Sequence, residues 1–367
     1  MNRIGVQHIV DALAPVRATG ACDQVCLTVG GLVVEVRCVS ETLLAELLRY
    51  FQHVISAPGN PDITVHVLGT AELPFTVDYT DWARDPGKTT GRKDAVCEFE
   101  NGRLVLKVRT GVRFLQAKEW AIAFGPTETN PNQVINFINT QILNHFQRGG
   151  WAVCHAAAVR TAHKGLAISG LSGGGKSTTM LRLMEIEGTQ YVTNDRLLVR
   201  KSGSRTDALG IPKLPRINPG TIVTNARLSG LIDEEREEEL RNMEPDELWH
   251  IEEKYDLFIE DIYGPGRIAH ETGLTDFWVL NWSHHSDDAT SVTKVDLKDR
   301  ADLLSAIMKS PGPFYQLQDG SFWCNRSPID QTAYLDALAG IQVWEVSGQI
   351  DFDALFDEGA QLLGSST

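Results

Sequence analysis

Gly170, Gly175, Lys176 and Ser177 fall on the spacing G-x-x-x-x-G-K-[ST], with Ser172, Gly173 and Gly174 between them. Glycines let main-chain N–H groups turn inward with no Cβ in the way, and those donors face phosphate oxygens together with the helix N-terminus. Lys176 adds a point charge at the β- and γ-phosphates, and Ser177 and Thr178 bring hydroxyls, Ser177 to Mg²⁺. The pattern has weight only if a strand precedes it and a helix follows. Residues 165–169 read Gly-Leu-Ala-Ile-Ser and residues 178–184 read Thr-Thr-Met-Leu-Arg-Leu-Met, so both conditions are met. The apolar run at 191–193 ends in Asn194-Asp195. An acid at the carboxyl end of a strand beside the phosphate-loop strand stands where Mg²⁺ would sit, and Asp195 is the expected metal ligand with Ser177.

Three other positions have residue types that fit this chemistry. His155 stands in an apolar run, where a histidine is usually a satisfied core residue and sometimes a catalyst. Lys213 and Arg216 lie in a stretch with Pro212, Pro215 and Pro219. Prolines hold such a loop extended, and two cations on a stiff loop can clamp a phosphoryl group or can simply be solvated. Arg267 is a weaker candidate of the same kind. His284, His285, Asp287 and Asp288 have metal-ligand types in the setting of an exposed turn.

These side chains need an α/β scaffold. The expected strands there are 153–159, 165–169, 191–193, 197–200, 208–211, 276–282 and 343–346, with helices at 176–187, 299–309 and 353–363. Residues 233–253 read as a charged helix interrupted near Pro245. The first 149 residues form a strand-rich α+β region. Strand-like runs at 25–30 and 31–39 meet at Gly30-Gly31, another lies at 62–68, and runs at 97–99 and 104–108 meet at Asn101-Gly102, a hairpin signal. Helices are expected at 41–55 and 133–148, and an exposed loop at 81–94. The domain split is therefore 1–149 and 150–367.

The chain has 367 residues, with 34 Lys plus Arg against 48 Asp plus Glu, a net charge of −14. That balance argues against general binding to nucleic acid or anionic membrane. Residues 233–256 carry twelve acids and three bases; residues 160–227 carry eleven bases and four acids. A basic middle in an acidic chain points to a local anion site, and the acidic stretch to a solvated helix face. No run of 18 apolar residues occurs, so no membrane span is expected. The six cysteines at 22, 26, 38, 97, 154 and 324 are too scattered for a disulfide framework, and Cys22 and Cys26 have no second pair to complete a zinc site. Reduced thiols and a cytoplasmic location are the expectation.

His155, the strand-loop-helix at 165–183, Asn194-Asp195 and the turn through Gly210-Ile211-Pro212 resemble the HPr kinase/phosphorylase family, most of all its HPr-kinase-related members. The loop is also similar to that of phosphoenolpyruvate carboxykinase, which shares the kinase core. The resemblance is specific over residues 151–219 and does not extend to the first 145. It implies a P-loop kinase core of the HPr-kinase/carboxykinase type and an ATP-dependent transfer, with Mg²⁺, of the γ-phosphate to a hydroxyl of a protein, peptide or small molecule. Lys176, Asp195, His155 and Arg216 would be catalytic, the N-terminal domain would recognise the acceptor or mediate assembly, and a homo-oligomer is left open. One departure matters: the family has two aspartates at this strand end, the first acting as base, and here the first is Asn194. An amide takes no proton, so a nucleotide-binding regulatory or scaffold protein of weak catalysis is the alternative.

Overall fold

The structure is a computed structural model that describes residues 4–19, 23–83, 93–170, 174–244, 247–248, 251, 253–283, 285–325 and 327–364. It is mixed α/β; among the described residues two sheets combine parallel and antiparallel pairs and two are antiparallel. The chain forms two compact units, Met1–Gly150 with Ser310–Ile329, and Trp151–Lys309 with Asp330–Thr367.

The first unit is built on a nine-stranded sheet. Strands Asp23–Val29 and Leu32–Cys38 form the hairpin whose turn is Gly30-Gly31, both glycines at positive φ. Asp94–Phe99 and Gly102–Lys107 form the second hairpin, with Asn101 at φ 59°, a conformation asparagine tolerates better than most residues. Between the hairpins, Leu32–Cys38, Ile63–Val67 and Ala121–Phe124 run parallel. Ser40 caps helix Glu41–Tyr50 by accepting from the Leu43 N–H; the helix expected to reach 55 stops here and turns into a short strand at Ile55–Ser56. That helix and Pro131–Arg148 pack together against the central strands. A further helix, Val6–Thr19, places Ile9, Val10 and Leu13 on Leu104, Leu115, Ile122 and Phe124.

The segment 310–329, counted with the second domain on sequence grounds, belongs to the first unit. Phe314 is the reason. Its ring lies 5.6 Å from that of Phe114 and 5.5 Å from that of Phe137, and its carbonyl accepts from Asn144 Nδ2 at 2.7 Å. Arg103, nearly fully buried, donates to the Pro313 carbonyl at 2.6 Å and packs on the Trp82 and Phe322 rings.

The second unit holds a four-stranded and a six-stranded sheet. The latter runs Gln190–Thr193, Ala157–Arg160, Gly165–Gly170, Asp276–Leu280, Gln342–Ser347 and Ser291–Lys294, with the inner three of the last five parallel to one another. Gly165–Gly170 is buried along its whole length, as befits a strand covered on both faces. Two expectations change here. The run 153–159 is two strands, Ala152–Cys154 in one sheet and Ala157–Arg160 in the other, broken at His155-Ala156. The strand leading to Asp195 does not lie beside Gly165–Gly170: Ala157–Arg160 intervenes, antiparallel to both. Among the described residues no helix is long and apolar enough to cross a membrane.

Because Phe314 fills an aromatic pocket of the first unit, Phe314→Ala should cost roughly 3–5 kcal/mol, the usual range for deleting a buried phenyl ring. A lowered urea midpoint in the full chain would report it. An unchanged midpoint would show that the 310–329 segment does not help hold that unit.

Candidate functional site

The antiparallel insertion of Ala157–Arg160 decides where the polar residues meet. An antiparallel strand begins at the edge where its neighbours end. The start of this strand therefore lies with the carboxyl ends of Gly165–Gly170 and Gln190–Thr193. Those three chain ends carry His155, the phosphate loop and Asn194-Asp195. His155 is anchored through its main chain: its N–H donates to Ile307 O at 2.7 Å, and its carbonyl accepts from Ser169 Oγ at 2.9 Å.

Asp195 is the centre of the cluster. One carboxylate oxygen faces Arg196 Nη1 at 2.7 Å and His155 Nε2 at 3.4 Å; the other accepts from Lys213 Nζ at 3.3 Å. Lys176 Nζ donates to the Asn194 carbonyl at 3.1 Å. Burial pushes the Asp195 carboxyl up, but Arg196, the His155 hydrogen bond, Lys213 and Lys176 outweigh it and hold the group well below the usual carboxylate range. Burial lowers the Lys176 ammonium, against the pull of Asp195. For His155 the Asp195 hydrogen bond raises the pKa, yet burial with Lys176 and Arg196 prevails, and the imidazole titrates below its ordinary value. At neutral pH the site thus holds an ionised, weakly basic Asp195 and a neutral His155.

Gly174 and Gly175, just before the helix, are held by aromatic side chains. Gly175 has φ 81° and caps helix Lys176–Leu183; a Cβ there would lie 2.8 Å from the Phe352 ring. Trp282 donates through Nε1 to the Gly174 carbonyl at 2.9 Å, and its ring meets Phe352 edge-on at 5.2 Å. Gly170 lies at the strand end against Leu280. Ser177, partly exposed, stands in the first turn of the helix, while the Thr178 hydroxyl shares a hydrogen bond of 2.9 Å with Thr221. Ser172 and Gly173, two of the expected cofactor contacts, lie outside the described residues.

The structure thus brings together Lys176, Asp195, His155 and Lys213. Arg216 Nε pairs with Asp256 at 2.8 Å, on a two-stranded ribbon formed by Arg216–Ile217 and Tyr255–Asp256. Arg267 donates to the Thr189 and Met184 carbonyls just beyond helix Lys176–Leu183. Sequence reasoning missed Arg196, which follows Asp195 directly, and the aromatic pair Trp282 and Phe352. The adjacency of Asp195 and Arg196 was a usable signal; nothing local marked the aromatic pair.

Three cations and one carboxylate converge here, a surplus that suits an anionic ligand. Among the described residues no cluster of three or more His, Cys, Asp or Glu could hold a metal ion. Mg²⁺ needs no such cage, since it commonly binds one or two carboxylates plus substrate phosphates and water. The hard oxygens of Asp195 and Ser177 fit it, provided Arg196 or Lys213 yields its place on the carboxylate.

Asp195→Ala removes both influences by which this carboxylate raises the His155 pKa. The imidazole should then titrate still lower than in the native chain. Histidine ring resonances followed by NMR against pH would show it, and an upward shift would contradict the arrangement described.

No protein-family model matches the chain, and no curated protein matches it. Among solved structures, the Hpr(Ser) kinase/phosphatase from Coxiella burnetii is similar over 57% of this chain and 93% of that chain, with 14% identity and a TM-score of 0.29.

Proposed function

We propose that the chain is an ATP-dependent phosphotransferase of the HPr-kinase-like type, moving the γ-phosphate to a hydroxyl of a protein, peptide or small molecule. The observation that carries this reading is the meeting of Lys176, at the head of a glycine-capped helix, with Asp195, His155, Arg196 and Lys213. On this reading the phosphate-loop N–H groups and Lys176 hold the β- and γ-phosphates. Lys213 and Arg196 lie where charge develops on the transferring group. Asp195 and Ser177 would hold Mg²⁺, which supplies charge neutralisation at the phosphates.

In the transfer, the bond from the γ-phosphorus to the ADP oxygen breaks and a bond to the acceptor oxygen forms. The acceptor proton leaves. Asp195 is a poor base because four positive or donating groups hold its pKa down. His155, neutral at working pH and hydrogen-bonded to Asp195, is the better proton acceptor. The N-terminal domain is assigned to acceptor recognition or assembly, and ATP with Mg²⁺ are the assigned cofactors.

Lys176→Ala should weaken Mg-ATP binding and lower transfer by about 10²–10³-fold or more, the usual cost of removing one preorganised charge-stabilising donor. His155→Ala should lower the rate by about 10²–10⁴-fold and leave nucleotide affinity nearly intact, as expected for a general base. Calorimetry with Mg-ATP and single-turnover transfer from γ-labelled ATP separate the two effects. Equal affinity and rate in Lys176→Ala would end the phosphate-loop reading.

A second reading has its own observation. Asn194 is buried, and its Oδ1 has no hydrogen-bond partner among the described residues. An amide cannot replace the family's first acid as base, so a nucleotide-binding regulatory protein of weak catalysis fits the same cluster. Under that reading Asn194→Asp raises transfer. Under the first, the new charge near the γ-phosphate lowers it.

A further inference from the structure

The first unit holds a second basic site, unrelated to the phosphate loop. Three neighbouring strands alternate so that their polar residues share one face. Arg37 on Leu32–Cys38 is the register partner of His66 on Ile63–Val67, and His66 is in turn the partner of Ile122. Partners in parallel strands point the same way. Ile122 packs with Ile9, Val10 and Leu13, so this is the face covered by helix Val6–Thr19. Past the apolar part of that helix, Arg17 in its last turn, Arg37, His66 and Trp120 line a cavity of about 410 Å³.

The charges are arranged for a ligand. Arg17 stacks on Trp120, 4.6 Å from the ring centre, and among the described residues it has no acidic partner. A stacked guanidinium keeps its in-plane N–H donors free. Arg37 is held through Nε by Glu35 at 2.6 Å, which turns its remaining donors to other partners; its side chain is 46% exposed. Glu35 is the one acid of the group, buried, and also within 3.4 Å of Thr64 Oγ1. Two guanidiniums against one carboxylate leave one positive charge in excess. His66 lies 9% exposed, its ring 5.7 Å from Trp120, with Nδ1 buried and without a hydrogen-bond partner among the described residues. Burial first, and then Arg17 and Arg37, lower its pKa to about 4, so the ring adds no charge of its own at neutral pH. A structural role leaves two features unexplained: a buried imidazole with an unanswered nitrogen, and a stacked arginine with no anion.

We propose that this cavity binds a small organic anion, held by its carboxylate or phosphate group between the Arg17 and Arg37 guanidiniums, with His66 and Trp120 forming its wall. Bidentate recognition of planar or tetrahedral anions is the chemistry arginine is suited to, and one excess positive charge beside an aromatic wall suits a small organic anion.

The test uses the full chain labelled in its histidine rings, carrying Lys176→Ala so that phosphate binding at the other site is weakened. Inorganic phosphate and succinate are titrated separately, and the His66 ring resonances are read. Saturable movement of the His66 signals with either probe is expected, phosphate alone or succinate alone naming the group preferred. Arg17→Ala should weaken that response by about tenfold or more, since a charge-assisted hydrogen bond contributes about 1.5–3 kcal/mol. Arg17→Lys, which keeps the charge and loses the fork, should fall between. Arg17 is at a helix end on the surface, so its replacement does not threaten the fold. Silence of the His66 signals to both probes at tens of millimolar overturns the proposal. A response that survives unchanged in both Arg17→Ala and Arg37→Ala does so too. Both outcomes are read at His66 and leave the phosphotransferase reading untouched.

Discussion

Asp195 is an ionised carboxylate drawn partly into protein, and the second unit is organised around answering it. Four separate stretches of chain send a group toward it or its neighbour: His155 from a strand break, Lys176 from the head of a helix, Lys213 from a proline-stiffened loop, and Arg196 from the next residue. Two unit charges about 4 Å apart interact by roughly 4 kcal/mol near a protein surface. Among the described residues Asp195 is the one carboxylate that pairs with both Arg196 and Lys213. With it, they stay close but over-supplied. Such an arrangement is stable and at the same time ready for an added anion, which would relieve the remaining repulsion.

The geometry that permits this is topological. A purely parallel arrangement would place strand ends and helix starts at one edge and leave no incoming chain there. Ala157–Arg160, antiparallel between Gly165–Gly170 and Gln190–Thr193, delivers an incoming residue to that same edge. The break at His155-Ala156 lets the chain change sheets, and Ile307 O and Ser169 Oγ fasten the main chain at that point. The histidine is then fixed by hydrogen bonds to its backbone, which leaves its ring free to meet Asp195.

What the sequence revealed follows the range of the interactions. The two hairpins are local: glycine and asparagine at fixed offsets, read correctly from a few residues. The 153–159 run reads as one strand because every residue but His155 is apolar or small, and only pairing with two different sheets divides it. Arg216 resembles Lys213 in sequence, and its partner, Asp256, lies forty residues further on. Phe314 has few apolar neighbours along the chain, so its place between Phe114 and Phe137 is invisible before folding. Trp282 and Phe352 close on Gly174 and Gly175 from more than a hundred residues away. Arg37 and His66 alternate with valines as any solvated strand face does, and only the helix laid across that face makes them unusual.

Asn194 ties these threads together. Its side chain is buried beside the most cationic point of the chain, with an oxygen that no described group satisfies. An aspartate there would place a second negative charge next to Asp195. Two adjacent carboxylates sharing one set of cations would repel, and one of them would be driven toward its protonated form. The amide avoids this: Asp195 keeps its donors and stays ionised, and the cations keep their surplus charge. The consequence on the proposed reading is a division of labour unlike that of a paired-acid site. Charge is handled by Asp195 and its cations, and proton acceptance falls to His155, the one nearby group whose neutral form is favoured at working pH.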